Sequence, residues 1–408
     1  MTRRCYIPLA SNRCSCGKNT SVDMNQRILA ELSNLESRAQ LRRLETVRGI
    51  DLNSNDYLGL ATDPRMKQAV VNGVESASRI ASTGSRLLSG QDDVWNILEH
   101  DFARWVGTEA ALYFTSGYAA NIGLLSAVLH PEDVVFSDSA NHASLIDGIR
   151  LVKCRRVIFP HLNLNFLEDE LRRNSSVAGA RVIVVESIFS MEGDRAPLAD
   201  LAALAERHGA ELIVDEAHAI GVCGTRGSGC VAEARLSTQI FGTVHTCGKA
   251  LAAAGAFVCG SENLRRFLIN RARTFIFNTG LPPYFASQVT AGMRLAAEAE
   301  SERARLMELS AFLRSELQKN GFDAGSSDSQ IVPVILGSNH VAVNFAEHIR
   351  SKGFGVRAIR PPTVPVGTAR LRLSLTANLS KKILTELVAA MTQARSEDST
   401  ARTVSVSR

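Results

Sequence analysis

No stretch of the sequence reaches the roughly 18 consecutive apolar residues that a membrane-spanning helix requires, so a transmembrane protein is not expected. Dense blocks of lysine and arginine are also missing. The net charge of +5 is spread over 408 residues, which gives little reason to expect nucleic-acid binding and suits small anionic substrates equally well. The N-terminus has early positive charge but no apolar segment of signal-peptide length, and residues 1–24 read as a disordered extension with a possible start at Met24. Cysteine is present at 5, 14, 16, 154, 223, 230, 247 and 259, mostly inside apolar runs or tight loops. Cys5, Cys14 and Cys16 lack a fourth ligand at zinc spacing, so no metal site is expected, and buried thiols fit a reducing cytoplasm. There are no internal repeats. With 45% hydrophobic and 21% charged residues, the chain has the composition of a soluble globular protein, long enough for one large domain and a smaller one.

What is present is an alternation. The segments ALYF, DVVFSD, RRVIFP, RVIVVES, ELIVDE, FGTVHT and GAFVCG are short apolar runs, most of them separated by helical patterns such as Asp92–Val106 and Pro197–His208. Alternation of this kind predicts an α/β fold with a mostly parallel sheet covered by helices, and such sheets bind ligands beyond the carboxyl ends of their strands. Ahead of it, residues 25–52 carry a helical pattern with Ile28, Leu29, Leu32 and Leu35 on one face. The large domain is expected over 53–295. A smaller α+β domain is expected over 296–395, where Leu371, Leu373 and Leu375 share one strand face and Arg370, Arg372 and Ser374 the other. A closing helix should end near Ala394, and 396–408 reads as a disordered tail.

Lys249 is the one charge in TVHTCGKALAAAGAFV, from Thr243 to Val258. Burial there would favour the neutral amine, which can attack an aldehyde, and Gly248 would leave room for a cofactor ring. A lysine at a strand end reaching out to water is an equal reading of that stretch alone. Other strand ends add to it. Ser116-Gly117-Tyr118 opens a helix whose N–H groups could hold phosphate. Asp215 follows a buried run and could keep a pyridine nitrogen protonated, His218 could reach a phenolic oxygen, and His142 could stack on a ring. Taken together they describe a site for pyridoxal phosphate. IDLNSNDYLGL, spanning Ile50 to Leu60, reads as an ordered substrate-facing loop, and the stretch Ser82–Gly90 as either an ordinary loop or a phosphate cradle.

From about Arg42 to Ala394 the chain resembles the α-oxoamine synthase family of fold-type-I pyridoxal-phosphate enzymes. The resemblance is carried by NSNDYLGL, GSRLLSG, TSGYAAN, NHASL, ESIFSMEGDRAPL, VDEAHAIGVCGTRGSG, TCGKALAAAGAF and FIFNTGLPP. It implies an acyltransferase with Lys249 linked to the cofactor aldehyde, Asp215 on the pyridinium nitrogen and His142 on the ring face. Ser190 and His218 would meet the phenolic oxygen, with Gly117, Tyr118 and Thr246 by the phosphate. Thr279 would reach the phosphate of a neighbouring subunit, making the protein a homodimer. Arg372 would anchor the amino-acid carboxylate, and Arg42 and Thr363 would touch substrate. AIRPPTVPVGTARLRLSL, from Ala358, points to the branch that condenses L-alanine with a pimeloyl thioester on coenzyme A or acyl carrier protein. Sibling ketobutyrate ligases, aminolevulinate synthases and palmitoyltransferases usually differ there. Cys247 departs from the bulkier apolar residues common at its position.

A nucleic-acid ATPase is the remote alternative, because Asp215-Glu216-Ala217-His218 spells a helicase box. A P-loop is missing: Gly242 stands one residue too far from Gly248-Lys249, and Ala250 occupies the hydroxyl position.

Overall fold

The computed structural model describes residues 23–406. The expected extension and Cys5, Cys14 and Cys16 lie outside the described residues, apart from Asp23 and Met24 at the edge of the first helix. The chain divides into two compact units, Met1–Glu45 and Thr46–Arg408. In the first, Asp23 caps the helix Met24–Ser37 by accepting a hydrogen bond from the Asn25 N–H at 2.9 Å.

Among the described residues, twelve strands make up the sheets of the second unit. The first seven to be named are β1 (Ile50–Asp51), β2 (Ala110–Phe114), β3 (Val134–Asp138), β4 (Arg155–Phe159), β5 (Arg181–Glu186), β6 (Glu211–Asp215) and β7 (Gly242–Thr246). They are followed by β8 (Ala256–Gly260), β9 (Ile331–Gly337), β10 (Phe354–Gly355), β11 (Ala358–Ile359) and β12 (Ala369–Ser374). Seven form one sheet in the order β2-β8-β7-β6-β5-β3-β4. Its strands run parallel except β8, which is antiparallel to both of its neighbours. β2 therefore points the same way as β7, and the carboxyl ends of β2, β3, β5, β6 and β7 share one edge.

The run Val182-Ile183-Val184-Val185 shows why these segments are strands. Ile183 and Val185 enter one apolar core and Val182 and Val184 the other, as the two-residue period of a strand buried on both faces demands. Each such side chain, fully buried, contributes about 1.5–3 kcal/mol. Helices cover both faces. Helix Asp93–Val106 starts at an Asp92 cap and stops at Gly107, whose φ of 75° is left-handed. Helix Gly117–Val128 starts at Ser116, whose side chain accepts from the Ala119 N–H at 3.1 Å.

A second, three-stranded antiparallel sheet, β11-β12-β9, packs with helices Glu300–Lys319 and Asn339–Ser351. β1 pairs in parallel with β10, which ties residues 50–51 to this C-terminal part. β12 is buried along its whole length, including Arg370 and Arg372. The last helix runs Lys381–Val406, past the end expected near Ala394 and into the segment expected to be disordered. Adding a turn to an existing helix escapes the cost of nucleating one, so a polar continuation can stay helical. Among the described residues, no helix is long and apolar enough to cross a membrane.

Candidate active site

The strand ends on the shared edge deliver one residue group each. β2 leads into Ser116-Gly117-Tyr118, β3 into His142, β5 into Ser190, β6 into Asp215 and His218, and β7 into Lys249.

Lys249 lies in the tight connection between β7 and β8. That turn is closed by Cys247 N–H to Gly255 O, Ala253 N–H to Cys247 O and Ala252 N–H to Lys249 O, each at 2.9 Å. A Cβ on Gly248 would meet only Ala253 O at 3.6 Å, so the space beside the lysine is open. The Lys249 amine is 2.8 Å from Nε2 of His218. Loss of hydration pulls its pKa down to about 8, with Asp215 acting in the opposite sense. The sequence left two readings of Lys249 open, and the inward-turned, weakened base is the one found.

Asp215 is buried at the end of β6. Its Oδ1 accepts from the Ala217 N–H at 2.9 Å and its Oδ2 from Asn121 Nδ2 at 2.7 Å. Asn121 Nδ2 also lies 2.9 Å from Ser144 Oγ, which is 2.7 Å from Nδ1 of His142. Because Asn121 donates to Ser144, the serine hydroxyl is free to donate onward. Nδ1 of His142 also accepts the Ser144 N–H at 3.3 Å, so the ring carries its proton on Nε2. Water reaches this ring, yet the protein atoms crowding it lower its pKa and keep it neutral.

Ser190 is buried, donates its N–H to Glu186 Oε2 at 3.1 Å and accepts from Nε of Arg372 through its carbonyl. Nη1 of Arg372 also reaches Asn55 Oδ1 at 3.0 Å and Ser374 Oγ at 2.6 Å. Glu186 stands opposite Asp215 in the β5/β6 register. Burial first, and Asp215 second, push its carboxyl well above the ordinary range. Within the DEAH string the chain sends Asp215 and His218 to the site, while Glu216 turns away to the Val231 N–H at 3.1 Å.

Pyridoxal phosphate fits this donor set. Thr246 Oγ1 is buried without a hydrogen-bond partner, beside the open N-terminus of helix Gly117–Val128. A Cβ on Gly117 would stand 2.6 Å from the Thr246 methyl, so glycine is what lets backbone and threonine approach there. The Tyr118 hydroxyl bonds to Asp147. Thr279 lines a small pocket with Arg86, Tyr113, Thr115 and Asn278 of its own chain. Thr363 is exposed on the loop between β11 and β12, and Arg42 belongs to the separate N-terminal unit. Away from the site, Cys223, Cys230 and Glu233 offer ligand atoms within 4.8 Å of one another. Glu233 of that group is already paired with Arg195 at 3.4 Å.

Residues 47–391 match the family described as aminotransferase class I and II. The chain belongs to that family. It is 43% identical over 383 residues to an 8-amino-7-oxononanoate synthase of Geobacter sulfurreducens, covering 90% of this chain and 97% of that one. A solved 8-amino-7-oxononanoate synthase from Francisella tularensis superposes with a TM-score of 0.75 at 28% identity, covering 86% of this chain and 98% of that one. Serine palmitoyltransferase from Sphingomonas wittichii superposes with a TM-score of 0.83 at 28% identity, covering 91% and 96%. Within the family the chain is an α-oxoamine synthase of fold type I, a pyridoxal-phosphate-dependent acyltransferase.

The sequence motifs contained more of this site than was assigned from them. Asn55, Tyr57, Asn121, Ser144, Glu186 and Ser374 all lie inside quoted motifs, but each is tied into the site through at least one residue from another motif, as Asn121 is to Asp215 and Tyr57 to His218, and no spacing rule marks such pairs.

Proposed function

We propose that the chain makes 8-amino-7-oxononanoate, a step of biotin biosynthesis, by decarboxylative condensation of L-alanine with a pimeloyl thioester on coenzyme A or acyl carrier protein. One observation carries the chemistry: an amine with a pKa near 8, 2.8 Å from a buried imidazole and within the field of Asp215. The choice of substrates is supported by 43% identity to the Geobacter sulfurreducens synthase.

Bound here, pyridoxal phosphate supplies an aldehyde that exchanges imine partners and a protonated ring that withdraws electrons from the amino acid's α-carbon. Lys249, Asp215, Ser190, His218, Gly117, Tyr118 and Thr246 would hold it. Lys249, neutral in half of the molecules near pH 8, removes the α-proton of alanine. Two hydrogen bonds, from the Ala217 N–H and Asn121 Nδ2, orient the Asp215 side chain, which would pair with the ring nitrogen. Nε2–H of His142 donates to the oxygen that gains charge when the thioester carbonyl is attacked. Arg372 receives the alanine carboxylate with its planar guanidinium. Thr363 adds a substrate contact.

The active enzyme is a cytoplasmic homodimer, in which Thr279 reaches the partner's cofactor phosphate. The exposed apolar side chains of Leu88 and Phe277 support this, since they lie on the two segments joined by the Gly280 N–H to Gly84 O bond. The domains divide as 25–52, 53–295 and 296–395. A second reading, a longer acyl thioester condensed with serine, rests on the higher TM-score to serine palmitoyltransferase.

Product analysis across alanine, glycine and serine paired with pimeloyl, acetyl, succinyl and palmitoyl thioesters tests the reading, with alanine and pimeloyl expected to dominate. A dominant palmitoyl or succinyl product would move the chain to a sibling activity. Lys249→Ala should retain alanine and cofactor but lose exchange of the α-proton, and parental exchange rates would remove the lysine from this role. Sedimentation at assay concentration should give a dimer, and an active monomer would rule out the shared site.

A further inference from the structure

Tyr57 is completely buried, and its ring could be taken for core packing alone. Its hydroxyl says otherwise. It lies 2.5 Å from Nδ1 of His218, and the other nitrogen of that ring, Nε2, lies 2.8 Å from the Lys249 amine. On its far side the hydroxyl is 3.0 Å from Oδ1 of Asn55, the oxygen that also meets Nη1 of Arg372 at 3.0 Å and Oγ of Ser374 at 3.1 Å. Gln330 holds the backbone at this point by donating to the His218 carbonyl at 2.8 Å. An unbroken line of hydrogen bonds therefore runs from Lys249 through His218, Tyr57 and Asn55 to Arg372.

We propose that Tyr57 is a positioning residue that sets the tautomer of His218 and, through it, how readily Lys249 holds a proton. The proposal rests on Lys249 being the reactive amine. Counting protons along the line gives two arrangements. Asn55 Oδ1 can only accept, and the phenol has a single hydrogen to give. When Lys249 is an ammonium it donates to Nε2 of His218. The imidazole proton then sits on Nδ1 and is donated to the Tyr57 oxygen, and the phenol hydrogen turns to Asn55. When Lys249 is a neutral amine, its lone pair accepts from Nε2–H, Nδ1 has no proton, and the phenol hydrogen turns to Nδ1. Both arrangements keep one proton on the imidazole, and the lysine alone changes charge. Burial, followed by the nearby Lys249 and Arg372 charges, holds His218 well below its ordinary pKa, in keeping with a neutral ring throughout.

The two arrangements lose unequally when the phenol oxygen is removed. Hydrogen bonds involving a charged group are the stronger ones, so the ammonium form depends more on the polarised line behind it. Tyr57→Phe should therefore make Lys249 more acidic. Because Asn55 is shared, the same amide oxygen touches both the residue that positions the base and the guanidinium that receives the substrate's carboxylate.

The experiment follows the rate at which cofactor-free protein takes up pyridoxal phosphate, read as visible absorbance of the lysine-bound cofactor across a pH series. Tyr57→Phe should move the midpoint down by about 0.5 to 1 pH unit, the size of one modest hydrogen bond. kcat should fall while KM for alanine changes little. Replacing Tyr57 with a 3-fluorotyrosine keeps the ring and its hydroxyl but weakens the oxygen as an acceptor, so the midpoint should move the same way by less. A role in packing alone would leave the fluorinated protein at the parental midpoint, and that result overturns the inference. Lys249→Ala separates this failure from a deeper one. If it still forms the parental visible band, the reading of Lys249 itself is wrong. If the band is lost while both Tyr57 variants titrate like the parent, only the positioning role falls.

Discussion

Burial pulls Lys249 toward the neutral amine, and the same enclosure acts on the acid across the sheet from Asp215. Glu186 has its carboxyl pushed well above the ordinary range, and its Oε1 is buried with no hydrogen-bond partner. Two ionised carboxylates in adjacent register positions would repel, so the neutral form of Glu186 leaves Asp215 as the single negative charge facing the cofactor nitrogen. Glu186→Gln preserves the shape, the neutrality and the acceptor for the Ser190 N–H. Its kcat/KM should stay within about three-fold of the parent, less than 1 kcal/mol. A hundred-fold loss in steady-state kinetics would mean that an ionised Glu186 is required. Cys247, the one departure from the family pattern near the lysine, is a fully buried thiol whose pKa is pushed up by burial, and it acts there as a small apolar side chain.

Among the elements, the junction of β2 with helix Gly117–Val128 shows how little room the site allows. The Thr246 methyl occupies the place a Gly117 side chain would need. Gly117→Ala should weaken pyridoxal phosphate about ten-fold, or about 1.4 kcal/mol, while the cofactor-free protein melts where the parent does. Equal affinity by absorbance titration would show that the junction yields without cost. This element was legible in the sequence because strand, glycine turn and helix are contiguous in TSGYAAN. So were the strands themselves, whose apolar runs coincide with β2 to β8. The reversed direction of β8 was not legible, since an apolar run buried on both faces carries no sign of its orientation. Nor did the alternation in β12 reveal that its arginines are buried. Arg370 is paired with Glu192 at 3.1 Å and Arg372 with Asn55 and Ser190, partners more than 170 residues away that only the fold brings near. Tyr57 went unassigned for the same reason, its partner His218 being 161 residues distant.

At the scale of the whole molecule, His161 joins three regions. It lies 2.9 Å from Asp138 at the end of β3 and 3.1 Å from Asp194 beyond β5, and Asp194 accepts in turn from Ser326 at 2.7 Å. Burial opposes its charge, but the two carboxylates prevail and push its pKa up to about 10. A basic group raised above its ordinary 6.5 stabilises the fold fully below that value and loses the contribution as pH rises through about 10. The melting temperature of the parent should therefore decline between pH 7 and 10. His161→Asn should be less stable at pH 7 by about 2–4 kcal/mol, because two partly buried carboxylates lose their cation. Its melting temperature should also decline less over that range. Parallel melting curves for parent and variant would show that His161 is not the group responsible.

The short connection between β7 and β8 has a bearing on how the chain acquires its reactivity. Antiparallel neighbours ten residues apart can zip together in microseconds, whereas the parallel pairing of β5 with β6 must await crossovers through an intervening helix. The folding chain should therefore have its lysine tether in place early but keep an ordinary, protonated amine until the neighbouring strands dock and bury it. Colour from captured aldehyde would then appear late in refolding, after the backbone signal has largely recovered, as the mark of a finished sheet.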